Sequence, residues 1–327
     1  MISWKTNPKQ TASLAVIFSS FLALPIAYVV NYSYSILGRF GLLVAGSLSL
    51  IFVCSITRWG VFEVRKPVRW IFYVSTLGMF SSMIDITIGL ENDKLVSNMM
   101  TNYLNTGEPY LTTAHGTMIC YYDGILHYIM YLILLYRVTY NKSCYEVGLF
   151  WAGSLGHSMI VFMPGNIVGD HNLHPSIFLN IPYVIIPFAS GYMFYQQYHI
   201  QKTTGKFEIR VESTIVKMFF AVLFTVLILI SLFRGLAVLN HTKHDIFAYY
   251  IKNVEPYLIH TDAYPKLQAQ VTHVGASLRH DDGTLMNINE GSFLFWMINL
   301  LLLIVPQCFL VLACHYKTTD RLASKTK

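Results

Sequence analysis

The chain has 327 residues, of which 54% are hydrophobic and only 12% charged, and a formal net charge of +6. A soluble domain carries about a quarter charged residues, so the composition excludes an ordinary soluble enzyme. It points to an all-α, polytopic membrane protein. The positive balance follows from the placement of the basic residues and gives no reason to invoke nucleic acid.

Crossing a bilayer takes roughly 20 apolar residues per helix. About eight stretches qualify as transmembrane helices: 11–30, 39–57, 68–90, 113–138, 146–163, 176–198, 214–236 and 293–316. The first exceeds the roughly 7–15 residues of a signal-peptide core and is not followed by a small-residue cleavage site. It is therefore expected to be retained. Positive loops stay cytoplasmic. With the N-terminus cytoplasmic and eight alternating spans, 16 of the 23 basic residues fall on the cytoplasmic side, among them Lys9, Arg58, Arg69, Arg137, Lys142 and Lys317. Both termini then read as cytoplasmic.

No cofactor-binding loop separates the spans, and no cofactor is expected. Cys54, Cys120, Cys144, Cys308 and Cys314 lie mostly in or beside spans, with neither metal-ligand spacing nor a disulfide framework. Asn31-Tyr-Ser and Asn240-His-Thr fall on the expected lumenal side as glycosylation acceptors. Asn31 lies too near the bilayer, which leaves Asn240 as the better acceptor.

The tetrapeptide Glu-Pro-Tyr-Leu occurs at 108–111 and again at 255–258, each time after a membrane-length span. This repetition divides the chain into two N-terminal helices (1–60), a first four-helix unit (61–200) and a second, related unit (201–327). Three spans follow the first tetrapeptide and one follows the second. The second unit thus lacks about two spans, as in a spliced or truncated product, and 237–292 reads as a long polar tract without evident structure. Gly89, Gly116, Gly124, Gly153 and Gly156 are expected to let helices approach closely.

Ionisable groups at bilayer depth cost roughly 2.5–3.5 kcal/mol on insertion scales, so each asks for a reason. Asp85 lies near the lumenal end of the third span. Asp123 and His127 lie four residues apart in the fourth, on one helical face, with His115 two turns earlier. Glu108 and Tyr110 sit in the connecting loop, where they can fold over the bundle. Asp85, Glu108, Tyr110, His115, Asp123 and His127 form the candidate ligand-binding set. An apolar cavity tipped by such groups suits an amphipathic lipid or an amine. The Asp123–His127 pair suits an interhelical clip equally well. His157, mid-way along the fifth span, reads first as a packing residue.

The longer motifs are specific. Gly107-Glu-Pro-Tyr-Leu, Thr113-Ala-His-Gly, Ile119-Cys-Tyr-Tyr-Asp-Gly, Pro164-Gly-Asn-Ile-Val-Gly, Phe178-Leu-Asn-Ile-Pro-Tyr and Phe233-Arg-Gly-Leu resemble the transmembrane 6 superfamily. That resemblance implies two tandem units of the domain shared with emopamil-binding protein, a sterol Δ8–Δ7 isomerase, and with the sigma-2 receptor. The second unit departs from the pattern where Gln268 runs directly into Ala269-Gln-Val-Thr-His. The resemblance also implies residence in the endoplasmic reticulum, Golgi or lysosome, a role in lipid storage, cholesterol handling or lipoprotein secretion, and membrane lipid, sterol and lipid-metabolism proteins as partners. Asp85 and Asp123 match the isomerase's two acids, but Ser81 stands where its histidine would be. Binding is thereby favoured over catalysis, with a sterol-isomerase-like enzyme using Asp85 and Asp123 as the alternative.

Overall fold

The computed structural model describes residues 7–32, 34–64, 66–168, 174–203, 214–240 and 242–255, with 274, 278, 293–302, 304–305 and 308 beyond these. Every regular element among the described residues is helical. They fall into two compact units, one lying within the first 197 residues and one carrying the helices after residue 213.

The first unit opens with α1 (Pro8–Phe21), whose start is fixed by Asn7: its side chain accepts from the Lys9 amide, and Pro8 supplies a preset first turn. α2 (Ala23–Tyr32) continues the same span after a break at Leu22. α3 (Tyr34–Val61) kinks at Gly38, where φ of 61° suits a glycine. α4 (Lys66–Asn92) is the hub and touches α1, α2, α3 and each segment of the span Ala114–Thr139. That span comprises α6 (Ala114–Tyr122), a π-helical turn (Asp123–His127) and α7 (Tyr128–Thr139). Before it lie the short α5 (Thr101–Thr106) and a 3-10 turn (Pro109–Thr112). α8 (Tyr145–Val168), a 3-10 turn (Pro175–Asn180) and α9 (Ile181–Thr203) complete the unit.

The packing is of the membrane type, with small residues and hydroxyls at the seams. Ser13 and Thr139 share a hydrogen bond of 2.7 Å, Thr57 and Thr76 one of 2.8 Å, and Ser20 and Tyr128 one of 3.1 Å. A Cβ on Gly124 would come within 2.8 Å of the Ile86 backbone, and one on Gly78 within 2.0 Å of the Tyr131 ring. Gly89 and Gly116 are equally tight, against Tyr121 and against the backbone of Tyr110 and Leu111. Gly153 corrects the sequence expectation, because nothing lies within 4 Å of where its Cβ would be. At Gly156 the nearest atoms stand at an ordinary 3.8 Å. The buried centre holds Trp151, Tyr131, Phe72, Phe80 and Met79.

Six helices among the described residues are long and apolar enough to cross a membrane. They coincide with six of the eight expected stretches. The stretch 146–163 also forms a helix, α8, which is not one of the six. Of 293–316, the described part is a short apolar helix, α12 (Phe293–Leu302).

The second unit contains α10 (Thr214–Asn240), α11 (Asp245–Asn253) and α12. α11 corrects the reading of 237–292 as unstructured. Phe247, Tyr250, Ile251 and Val254 recur at helical spacing and form one apolar face, which packs on Ala237, Phe233 and Phe295. Residues 256–273 and 279–292, including the second Pro-Tyr-Leu and the junction after Gln268, lie outside the described residues.

Candidate functional site

Beneath the first tetrapeptide lies a cavity of about 150 Å³. Its walls are largely apolar, drawn from α2, α3, α4, α6, α8 and α9, with Phe80, Ile84, Leu50 and Met159 among them. Four of the six sequence-derived residues border it: Asp85, Glu108, Asp123 and His127.

Asp123 and His127 owe their placement to the π turn. Such turns are uncommon and gather at functional sites. Here the turn sits where Gly124 lets α4 come close, and Ser82 of α4 donates to the Asp123 carbonyl at 2.8 Å. The Asp123 carboxylate accepts from Ser158 at 3.3 Å and stands 3.0 Å from His127 Nδ1. The other imidazole nitrogen, Nε2, is 2.9 Å from Ser154 Oγ, which also meets the Tyr122 hydroxyl at 3.0 Å. Asp123, His127, Ser154 and Tyr122 thus form a polar cluster between the cavity wall and α8, in which His127 Nδ1 lies beside Asp123 without the alignment of a hydrogen bond.

Asp85 differs from this. It faces the cavity one helix away, and among the described residues no group donates a hydrogen bond to its carboxylate.

Glu108 closes the loop end. Only 2% of it is exposed. Asn180 Nδ2 donates to its carboxylate, and the Tyr103 phenol lies beside it. The surrounding backbone is pinned: Ser176 Oγ donates to the Gly107 carbonyl at 2.8 Å, and Pro109 starts the 3-10 turn that delivers Thr113 as the cap of α6. Burial pushes the Glu108 carboxyl from 4.5 up to about 7, against the opposing effect of Tyr103 and Asn180. Burial, together with the neighbouring Glu108 charge, holds the Tyr103 phenol well above its ordinary range.

Tyr110 and His115 do not border the cavity. Tyr110 is 1% exposed, its ring 5.8 Å from Phe162 and 6.3 Å from His115, which is itself fully buried. They brace the wall from behind. His157 is half-buried on α8 and does not border the cavity either. Ser81 does border it, and donates to the Gly78 carbonyl at 2.9 Å. Among the described residues no group of three or more His, Cys, Asp or Glu could hold a metal.

Three contributors escaped sequence reasoning: Tyr103, Asn180 and Tyr183, all on the cavity wall. A signal for the first two existed. In the second unit Glu255 is fully buried and accepts from Tyr250 at 2.7 Å, from Asn299 at 2.9 Å and from Arg234 Nε at 2.9 Å. Tyr103 and Tyr250 each stand five residues before their glutamate, so aligning the tetrapeptides brings the two tyrosines together.

A family model for the transmembrane domain of transmembrane 6 superfamily member 2-like proteins matches residues 22–205. The chain belongs to the transmembrane 6 superfamily. Against Transmembrane 6 superfamily member 2 of Homo sapiens it is 35% identical over 262 residues, covering 76% of this chain and 68% of that protein. The Mus musculus protein of the same description is 33% identical over 263 residues, with the same two coverages. The Rattus norvegicus protein is 33% identical over 262 residues, covering 75% and 67%. No solved structure matches the chain. Every residue bordering the cavity lies inside the stretch matched by the superfamily model.

Proposed function

We propose that this protein binds an amphipathic sterol or lipid in the cavity beneath the first tetrapeptide, and by doing so takes part in intracellular lipid or cholesterol handling or lipoprotein secretion. The observation that carries this reading is Asp85. A carboxyl without a hydrogen-bond donor, facing a mostly apolar space, is an unmade interaction that a ligand's polar head completes. Apolar walls above and below it suit a rigid hydrocarbon body. The excess of basic residues on one side favours cytoplasmic termini and a lumenal Glu108, and the superfamily resemblance favours the endoplasmic reticulum, Golgi or lysosome as the compartment. Lipid-metabolism proteins fit as partners.

Equilibrium binding of a fluorescent sterol to the purified full chain tests this. Saturable binding that weakens at least tenfold in the Asp85→Ala, Asp123→Ala double variant is expected; affinity unaffected by the pair overturns it.

A second reading, sterol isomerisation, draws on one observation. Asp123 stands beside His127 on the same cavity as Asp85, so a proton donor and a proton acceptor face one space. Conversion of Δ8 sterols by a strain that lacks its own isomerase and expresses this chain is the corresponding test. Good expression without conversion rules it out.

A further inference from the structure

The glutamate cradle is built twice, and the two copies differ by one charge. Both have a tyrosine five residues before the glutamate and an asparagine on a later helix or turn. Both have the same backbone turn: the Glu108 amide donates to the Tyr103 carbonyl at 2.9 Å, and the Glu255 amide to the Tyr250 carbonyl at 3.0 Å. In the second copy Arg234, 21 residues before Glu255, neutralises the carboxylate. The same offset before Glu108 falls on Thr87, whose hydroxyl is spent on the Met83 carbonyl of its own helix at 2.7 Å. Among the described residues, neither lysine nor arginine borders the cavity.

The ionisable groups facing Glu108 across the cavity are Asp85 from α4, Tyr103 from α5, Cys120 from α6, Asp123 and His127 from the π turn, Tyr131 from α7, and Tyr183 from α9. Only the histidine is basic, and it lies against Asp123. Asp85 and Glu108 thus share an apolar space with no cation of their own. Two carboxylates so placed repel each other and lose hydration that nothing returns.

We propose that the cavity binds a neutral, hydroxyl-bearing amphiphile together with a proton on Glu108, and that loss of this proton expels the ligand. The inference rests on the lipid-binding reading above and adds its regulation. With the proton in place, Glu108 presents an O–H that a ligand hydroxyl accepts, while Asp85 accepts the hydroxyl's own hydrogen. With it removed, the buried carboxylate has no cation to pair with and draws water into the cavity. Burial, which already pushes this carboxyl up to about 7, sets the exchange within the pH range of cellular compartments. The second copy, with its built-in arginine, has no such exchange to make.

The test is labelling of the full chain in phosphatidylcholine vesicles by a photoactivatable cholesterol analogue between pH 5.5 and 8.5. Labelling is expected to be strongest in acid and to fall by up to about tenfold per pH unit above the midpoint, as for a single linked proton. Glu108→Gln flattens the profile. Tyr103→Phe, which removes a hydroxyl favouring the charged form, moves the midpoint upward and serves should the first variant fail to fold. Labelling independent of pH in the wild type, or an unshifted profile in Glu108→Gln, overturns the proton linkage while leaving lipid binding intact. Labelling that rises with pH overturns it in favour of a cationic ligand. Absence of competable labelling at every pH overturns both readings.

Discussion

Replacing Glu108 by glutamine changes one proton and little else in shape, so its consequence for stability follows from the structure. The folded-state carboxyl is raised from 4.5 to about 7. A raised acid holds its proton more tightly in the folded than in the unfolded chain, so its effect on folding is neutral below pH 4.5. As pH rises from there to about 7, stability falls, and above that range the loss is complete. A rise of this size corresponds to about 3 kcal/mol. Glutamine still accepts from Asn180 and can donate to the Tyr103 hydroxyl, so the cradle survives. Thermal unfolding in detergent, followed by tryptophan fluorescence, reads the outcome; Trp70 and Trp151 lie in this unit. At about 2–4 °C per kcal/mol, the wild-type Tm should drop by about 6–12 °C between pH 4.5 and pH 8, and Glu108→Gln should remove most of that drop. Parallel curves for the two proteins refute the assignment of the titration to Glu108.

Arg234→Ala leaves Glu255 buried without its cation and should destabilise the second unit by about 3–5 kcal/mol, whereas Arg234→Met with Glu255→Met restores most of the loss; limited proteolysis between α10 and α11 checks both. Gly78→Ala drives a Cβ into the Tyr131 ring and should cost about 1–3 kcal/mol, while Gly153→Ala, with nothing within 4 Å, should be neutral; paired thermal melts separate them. Asn31 is 6% exposed, and its amide is spent on the Asn98 carbonyl at 3.0 Å and the Asn102 amide at 2.7 Å. Glycosidase treatment should therefore give the same mobility shift in Asn31→Gln as in the wild type, and none in Asn240→Gln.

Much of this molecule is legible in its sequence, because hydrocarbon imposes a length and a composition on anything that crosses it. The boundaries of α4 and of the span Ala114–Thr139 could be read within two residues. The acids on the cavity wall could be read because a charge at that depth needs a reason. What escaped were features without a compositional mark. The π turn at Asp123–His127 arises from the fit of Gly124 against Ile86, a tertiary fact that no local pattern reveals. Tyr110 and His115 belong to a conspicuous motif, yet Tyr110 packs on Phe162 and His115 on Tyr110, and neither borders the cavity. α11 was hidden by the polarity of its surroundings, although Phe247, Tyr250, Ile251 and Val254 recur at helical spacing. The Tyr–Glu–Asn cradle is open to reading through the repeat, because Tyr103 and Tyr250 stand at the same offset from their glutamates.

The central claim is that an amphipathic lipid occupies the space between Asp85 and Glu108. Photo-crosslinking of the full chain with a diazirine sterol, followed by mass spectrometry of the labelled peptides, tests it directly. The expected result is competable labelling within 80–88 and 155–162, from opposite walls of the cavity, lost when Asp85 and Asp123 are both replaced by alanine. Labelling confined to the outward-facing surface of α3 or α10, and unchanged in that double variant, contradicts the claim.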